Sequence, residues 1–257
     1  MLAVAHVLGL MMAFFAVTFI MPVVCSLIAQ DGVAIDFVVA AGINLVVGLA
    51  IAAATRRYKR ELKARDGFLL VSLSWVLMSA SAAVPLLIAL PELSFTDAYF
   101  EAMSGLTTTG ATVLIGLDDM PASILLWRAA LHWFGGIGII VLAVAVLPLL
   151  GVGGMALYRA ETPGPVKDEK LTPRITETAK ALWLTYDGLT LVAILALRVA
   201  GMGWFDAVCH GFSVIALGGF SSEVLGSKKV MPSALTEAGF KWDYPHISPA
   251  LQALVEH

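Results

Sequence analysis

Residues 95–113 read FTDAYFEAMSGLTTTGATV, and a weaker copy of this stretch returns at residues 204–222 as WFDAVCHGFSVIALGGFSS. Each block is a short helical pattern that runs into a Gly-containing segment, and each follows a long apolar run. A short helix that enters a membrane and returns through exposed backbone is how membrane proteins build ion filters from carbonyl oxygens. At a constant offset of 109 residues the blocks share these identities: Asp97 with Asp206, Ala98 with Ala207, Ser104 with Ser213, and Gly110 with Gly219.

The composition is that of a membrane protein. Hydrophobic residues make up 59% of the chain and charged residues 14%, and the mean hydropathy is +0.88. No alternation with a period of two competes with a helical interpretation. We therefore predict an all-α, polytopic membrane protein. Five apolar runs are long enough to cross a bilayer as helices: 2–29, 33–54, 68–90, 123–150 and 182–202.

Charge placement predicts the orientation. The segments 56–66 and 159–180 are basic, whereas the loops 30–32 and 117–120 contain no Lys or Arg. By the positive-inside rule the two basic segments are cytoplasmic, so both Gly-containing blocks dip in from the outside. We interpret the charge run as a topology signal and not as a nucleic-acid or anionic-lipid patch, so no nucleic-acid partner is expected. The first Lys or Arg is Arg56, which favours a retained anchor over a cleaved signal peptide.

These features divide the chain into helix–pore loop–helix repeats of the potassium-channel type. The second repeat is not followed by a closing apolar run, so we expect the repeats to be incomplete and this chain alone not to conduct ions. The predicted segments are an N-terminal helix pair (1–55), a cytoplasmic basic loop (56–67), a first repeat (68–150), a cytoplasmic connector (151–180), the first half of a second repeat (181–222) and an atypical tail (223–257).

The chemistry of the blocks suits a monovalent cation, which must replace its lost water ligands when it enters a membrane. Backbone carbonyls do this without adding net charge. Gly110 and Gly219 permit the positive φ that aims successive carbonyls at one axis. The partly negative C-terminal end of each short helix points toward the membrane centre, and Asp97 and Asp206 complement the positive N-terminal end.

Other residues fit less specific roles. We interpret Cys25 and Cys209 as packing residues, because a disulfide framework or metal site needs more partners. His132 is expected to be an interfacial hydrogen-bonding residue, and Arg198 to extend toward the membrane surface. Small residues at Gly135, Gly136 and Gly138 predict tight helix packing.

Two functions remain open from the residues alone. One is ion transport through a pore lined by carbonyls; the other is a noncatalytic membrane assembly protein whose Gly-rich bends only pack helices. An enzyme is not expected, because the sequence presents no nucleophile–base pair, metal cluster or paired intramembrane carboxylates.

Three segments resemble a known family: LTTTGATV (106–113), HWFGGIGIIVLAVAVLPLLGVGG (132–154) and YRAETPGPVKDEKLTPRI (158–175). They are similar, in order, to the TrkH-like potassium-uptake subunits of the Trk/Ktr/HKT superfamily, and the likeness covers about residues 1–222. It implies a protein of the bacterial inner membrane in which an extra helix pair precedes four repeats around one pore. This chain would hold only a part of those repeats. It also implies potassium as the transported ion, a TrkA-like nucleotide-binding ring on the cytoplasmic side and commonly a homodimer. We further expect contact with membrane lipid and no covalently bound cofactor.

The resemblance also implies which residues form the filter. The first strand would be Thr107, Thr108, Thr109, Gly110 and Ala111, and the second would be Ala216, Leu217, Gly218, Gly219 and Phe220. Potassium would be held at Thr108, Thr109, Leu217 and Gly218.

Overall fold

Helices make up the regular secondary structure in the part of the chain that the computed structural model describes, residues 2–58, 64–146 and 171–217. Side chains are described for 2–58, 65–138 and 180–216. The helices are α1 (Leu2–Phe15), α2 (Ile20–Ala29), α3 (Ala34–Thr55), α4 (Ala64–Ala89), α5 (Phe95–Leu106), α6 (Ala122–Val146), α7 (Leu171–Val199) and α8 (Trp204–Leu217). Short 3₁₀ turns occupy Ala16–Phe19, Arg56–Tyr58 and Leu117–Asp119.

Four helical segments of the described residues are long and apolar enough to cross a membrane: Leu2–Ala29, Ala34–Tyr58, Arg65–Ala89 and Lys180–Val199. They correspond to four of the five predicted spans. The first is α1 and α2 joined through a 3₁₀ turn into one helical rod. The remaining predicted span begins as α6, whose 25 residues reach about 37 Å at 1.5 Å per residue. Its last predicted residues, 147–150, lie outside the described residues.

The C-terminal part of the predicted connector 151–180 is helical. Helix α7 begins at Leu171, so it starts well before the apolar run predicted at 182–202. Pro173 is compatible with this extension because it lies in the first turn of the helix, where the missing N–H has no intrahelical partner to lose. Residues 151–170 of the connector, and the tail 223–257, lie outside the described residues.

The helix pair is held together by a close crossing of α1 and α3. A Cβ added at Gly9 would lie 2.7 Å from the backbone carbonyl oxygen of Gly48, and one at Gly48 would lie 2.7 Å from that of Gly9. Only glycine lets two helix backbones approach this closely. Asn44 on α3 donates to the carbonyl oxygen of Ser81 on α4 (3.5 Å), which links the pair to the next helix.

The core lies where this pair meets the first repeat. The Trp127 side chain on α6 is fully buried and stacks on Phe19, with ring centroids 4.7 Å apart. Phe37 approaches the same indole edge-on at 6.0 Å. The indole N–H donates to the carbonyl oxygen of Ala82 on α4 (3.1 Å). The Trp127 side chain therefore connects α6 to the N-terminal helix pair and to α4. It fixes the position of α6 beside the site described below.

Large apolar side chains cover the outside of the helices. Phe14, Ile28 and Leu184 are each more than 70% exposed. In water such a surface would be costly, whereas lipid acyl chains match it. The outer faces therefore fit a bilayer, as the composition predicts.

Candidate ion-filter site

Helix α5 is a half-length helix with a defined start. Its 12 residues reach about 18 Å, a little more than half the hydrocarbon thickness of a bilayer. Ser94 caps its N-terminus: the hydroxyl accepts a hydrogen bond from the Asp97 backbone N–H (3.1 Å) and donates to the Asp97 carboxylate (2.7 Å). The carboxylate also lies at the positive end of the helix dipole, as predicted from its position.

The backbone leaves helical geometry directly after Leu106. Thr108 has φ +55° and Gly110 has φ +76°, both in the left-handed region. The positive φ at Gly110 confirms the prediction from the sequence. Thr108 was not expected there, because a β-branched residue rarely adopts this conformation. Two of the three residues from Thr108 to Gly110 have a left-handed backbone conformation. The chain reverses direction here, within the predicted filter strand.

Helix α5 binds the N–H groups of this strand. The backbone N–H of Thr109 donates to the Ser104 carbonyl oxygen (2.9 Å), and the Thr108 N–H donates to that of Gly105 (3.0 Å). The Ser104 hydroxyl in turn donates to the carbonyl oxygen of Ala111 (2.7 Å). Ser104, which the sequence marked only as a repeated identity, is therefore the hub that fixes the strand against its helix.

The carbonyl groups from Thr107 to Thr109 differ from the N–H groups of the strand in their hydrogen bonding. Among the described residues, no hydrogen bond reaches the carbonyl oxygens of Thr107, Thr108 or Thr109. Unpaired carbonyls are costly in a membrane unless they line a cavity or coordinate a cation. The Thr107 and Thr109 hydroxyls lie 2.8 Å apart and the former also donates to the Met103 carbonyl oxygen, so the hydroxyls brace the loop.

A buried ion pair holds the chain after the strand, and sequence reasoning missed it. Glu101 on α5 and Arg128 on α6 pair at 2.6 Å, with side chains 3% and 11% exposed. The same carboxylate accepts from the Thr112 hydroxyl (2.9 Å) and from the Val113 backbone N–H (3.1 Å). Arg128 is the only Lys or Arg in the run 123–150. That isolation was the available signal, since a charge inside an apolar span needs a partner.

Glycines set the distance between α5 and α6. A Cβ at Gly135 would lie 2.0 Å from the carbonyl oxygen of Leu106, the last residue of α5. A Cβ at Gly136 would lie 2.4 Å from the Tyr186 hydroxyl on α7. The tight packing predicted for both is confirmed. At Gly138 the nearest atom, on Trp75, is 3.5 Å away, which is ordinary contact.

The second block is described only in its helical part. Helix α8 extends to Leu217, so Ala216 and Leu217 lie in its last turn and not in an extended strand as expected. At the offset of 109, α8 runs two residues further than α5. Gly218, Gly219 and Phe220 lie outside the described residues.

His132 contacts this second block. Its side chain is 4% exposed and lies between α6 and α8, where Nδ1 is 3.3 Å from the Ser213 hydroxyl. The expected hydrogen-bonding role is therefore found between two helices instead of at the membrane surface. Nearby, the Trp133 indole N–H donates to the Thr190 hydroxyl (3.1 Å) and the ring stacks on Phe212 at 5.1 Å.

The remaining predicted residues have simple environments. Neither Cys25 nor Cys209 forms a disulfide, and each is partly buried. The Arg198 guanidinium lies 5.3 Å from the centre of the Trp204 ring and donates to the carbonyl oxygen of Met202 (3.3 Å). It thus extends toward the C-terminal end of α7. The described residues contain no cluster of three His, Cys, Asp or Glu side chains suited to a metal ion.

Span-length helices, a re-entrant half-helix and a backbone strand returning beside it define a membrane protein of pore-loop architecture. A family model described as TrkH, cation transport protein, matches residues 35–225. The chain therefore belongs to the TrkH family, and we assign it to the bacterial inner membrane as a multi-pass protein. A second model, a domain of unknown function named DUF1731, matches residues 214–254 and overlaps the end of the first match.

Individual relatives agree with this assignment. The chain is 53% identical over 221 residues to the Trk system potassium uptake protein TrkH of Vibrio parahaemolyticus, covering 86% of this chain and 46% of that protein. It is 43% identical over 226 residues to the potassium uptake protein TrkG of Escherichia coli K12, covering 87% and 47%. The crystal structure of the potassium transporter TrkH from V. parahaemolyticus superposes with a TM-score of 0.73 at 47% identity, covering 86% of this chain and 44% of that one. The chain thus spans a little under half the length of these relatives.

Proposed function

We propose that this chain supplies part of a pore for potassium uptake, with Thr107–Ala111 as its first filter strand. The observation that carries the proposal is the row of three carbonyl oxygens, from Thr107 to Thr109, without a hydrogen-bond partner among the described residues. The N–H groups of Thr108 and Thr109 are meanwhile bound to α5. A strand whose N–H groups are bound to its helix, while three of its carbonyl oxygens have no such bond, suits a cation that is coordinated by carbonyls.

The electrostatics support the same function. The filter strand begins at the C-terminal end of α5, where the helix dipole places partial negative charge. The nearby carboxylate of Glu101 is neutralised by Arg128, so carbonyl dipoles and not a net charge would hold the ion. A site of this kind binds a monovalent cation without trapping it. The relatives, which are named potassium uptake proteins, indicate the ion.

We include residues 216–220 in the proposal as the second filter strand, because they belong to the repeated sequence block at 204–222. Potassium would be coordinated at Thr108 and Thr109 in the first strand and at Leu217 and Gly218 in the second. Leu217 in the last turn of α8 presents its carbonyl at the C-terminal end of a helix, which is also favourable for a cation. We propose the segment boundaries predicted from the sequence, with α4 beginning at Ala64 within the predicted loop 56–67 and α7 at Leu171 within the predicted connector 151–180.

The proposed partners come from the family resemblance. We propose that a TrkA-like nucleotide-binding ring docks on the cytoplasmic connector and that the assembled protein is a homodimer. Deletion of residues 161–172 should weaken retention of the ring in a pull-down from membranes expressing both proteins. Equal retention with and without the segment would show that it is only a linker.

The filter proposal is tested by grafting residues 2–217 in place of the matching region of V. parahaemolyticus TrkH, in a strain that lacks potassium uptake. We expect the graft to restore growth at low potassium and Gly110→Val to abolish it. Gly116→Val is the matched control, because Gly116 lies in the same loop with φ +71° and open space around it. Equal growth of the two variants would refute the filter assignment, and would favour the alternative in which the Gly-rich bend only packs helices.

A further inference from the structure

The Glu101–Arg128 pair lies behind the proposed filter strand and does more than join two helices. Besides pairing with Arg128, the carboxylate accepts from the Thr112 hydroxyl and from the Val113 N–H. The Thr112 hydroxyl oxygen then accepts from the Leu114 N–H at 3.1 Å. The pair therefore fixes the chain directly after the proposed filter strand.

We propose that Glu101 and Arg128 are positioning residues that fix the outer end of the first filter strand, through the residues directly after it, and thereby set its preference for potassium over sodium. This inference rests on the proposed function, because it assumes that Thr107–Ala111 coordinates the ion. Discrimination between cations of different size depends on where the carbonyls are held. Ser104 holds the strand at Thr109 and Ala111, and the pair holds the residues that directly follow it, Thr112 and Val113. Without the pair, the outer end of the strand would be tied on one side only.

Two properties suit the pair to this task. Both side chains are almost fully buried, so their interaction is weakly screened by water and a missing partner would leave a buried charge. The pair as a whole carries no net charge, so it braces the strand without competing with the carbonyls for the cation.

The second block does not repeat this arrangement. At the offset of 109 residues, His210 on α8 takes the position of Glu101. The carboxylate brace is thus a feature of the first of the two blocks, and the two proposed strands would be held by different chemistry. Variants of the first brace should therefore alter selectivity without a second copy to compensate.

The first test measures hydrogen exchange by mass spectrometry on the full 257-residue chain in detergent. In Arg128→Met, the Glu101 carboxylate is left buried without its cation, so it should leave its position or take up a proton. Exchange across residues 112–114 should then rise about tenfold or more. Arg128→Lys should restore part of the protection. The double variant Glu101→Gln with Arg128→Met should restore more, because the Gln oxygen still accepts from Val113 and no charge is left unpaired.

The control for general destabilisation is Trp133→Phe, which removes the hydrogen bond to Thr190 on a different helix pair. It should leave exchange at 112–114 unchanged. If Trp133→Phe raises exchange there as much as Arg128→Met does, or if Arg128→Met raises it evenly over all helices, the pair is only a structural tie and the proposal is wrong.

The second test uses the graft described above and compares uptake of rubidium, as a potassium substitute, with uptake of sodium. Arg128→Met should lower the rubidium-to-sodium ratio, and Arg128→Lys should recover it in part. An unchanged ratio together with increased exchange at 112–114 would overturn the link to selectivity. Failure of the unmodified graft to take up rubidium would instead contradict the proposed function, and the exchange experiment would still decide whether the pair positions the strand.

Discussion

Replacing Gly135 with alanine should displace the end of α5 and the strand that follows it. The added Cβ would lie 2.0 Å from the carbonyl oxygen of Leu106 and 2.7 Å from its carbonyl carbon. Both atoms belong to the backbone, so no side-chain rotation relieves the clash, and the helices must separate by about 1 Å to reach tolerable contact. Overpacking of this kind costs about 1–3 kcal/mol. Because Leu106 immediately precedes Thr107, the displacement reaches the proposed filter directly.

Gly138→Ala supplies the control for this experiment. Gly138 is also in α6, three residues further on, but its added Cβ would have only an ordinary contact at 3.5 Å. Both substitutions gain helix propensity of about 1 kcal/mol, so the difference between them isolates the clash.

The measurement is the thermal unfolding midpoint of the purified chain in detergent, followed by tryptophan fluorescence. We expect Gly135→Ala to unfold several degrees below Gly138→Ala, at about 2–4 °C per kcal/mol. In the graft, it should also reduce rubidium uptake while Gly138→Ala retains it. Equal midpoints for the two variants would refute the argument that α5 and α6 are in backbone contact here.

Three further predictions concern the surroundings of the site. Burial opposes ionisation of Asp31, but hydrogen bonds from the Ser26 hydroxyl and from the N–H groups of Ser123 and Val33 outweigh it and lower its pKa. The ionised carboxylate therefore stabilises the fold fully above the unfolded-state pKa of about 3.9, and this stabilisation is lost as the pH falls through the lower folded-state pKa. Thermal midpoints measured from pH 6 to 3 should fall less steeply in Asp31→Asn than in the unmodified chain, and parallel curves would contradict this. Trp127→Phe removes the indole N–H that donates to Ala82 and leaves a small cavity, so it should destabilise the chain by about 2 kcal/mol in denaturant unfolding, while a variant as stable as the original would show that the core tolerates the loss. Thr108→Asn should raise the thermal midpoint by the equivalent of about 1 kcal/mol, because Asn tolerates the left-handed conformation better than Thr, and a lower midpoint would mean that the Thr108 backbone is not strained.

The sequence was sufficient for features that depend on local pattern. Long apolar runs predict membrane helices because only a fully hydrogen-bonded helix crosses lipid alone. The repeated block gave the half-helix α5 and the start of α8, since a short helical pattern between spans cannot cross a bilayer. The positive φ of Gly110 followed from its place after that helix. In each of these cases the deciding interaction lies within a few residues.

Features that depend on distant partners were not predictable in this way. Glu101 and Arg128 are 27 residues apart on different helices, and nothing in the spacing of either one marks the other. The left-handed conformation of Thr108 runs against its propensity and follows from hydrogen bonds to the end of α5. The early start of α7 was missed because a hydropathy pattern shows where lipid begins and not where helical hydrogen bonding begins.

Ser104 and Ser213 show that equivalent positions in the two blocks have different contacts. They are identical and occupy equivalent positions, yet the structure gives them different partners. The Ser104 hydroxyl donates to Ala111 of its own block, whereas the Ser213 hydroxyl contacts His132 of the first repeat. The small polar side chain is thus used once to close a filter strand on its helix and once to dock the second block against α6. Since Gly135, three residues after His132, also sets the position of α5, α6 contacts both pore helices through neighbouring turns. A displacement of α6 as a whole should therefore affect both proposed strands, whereas a displacement of α5 or α8 alone should affect one.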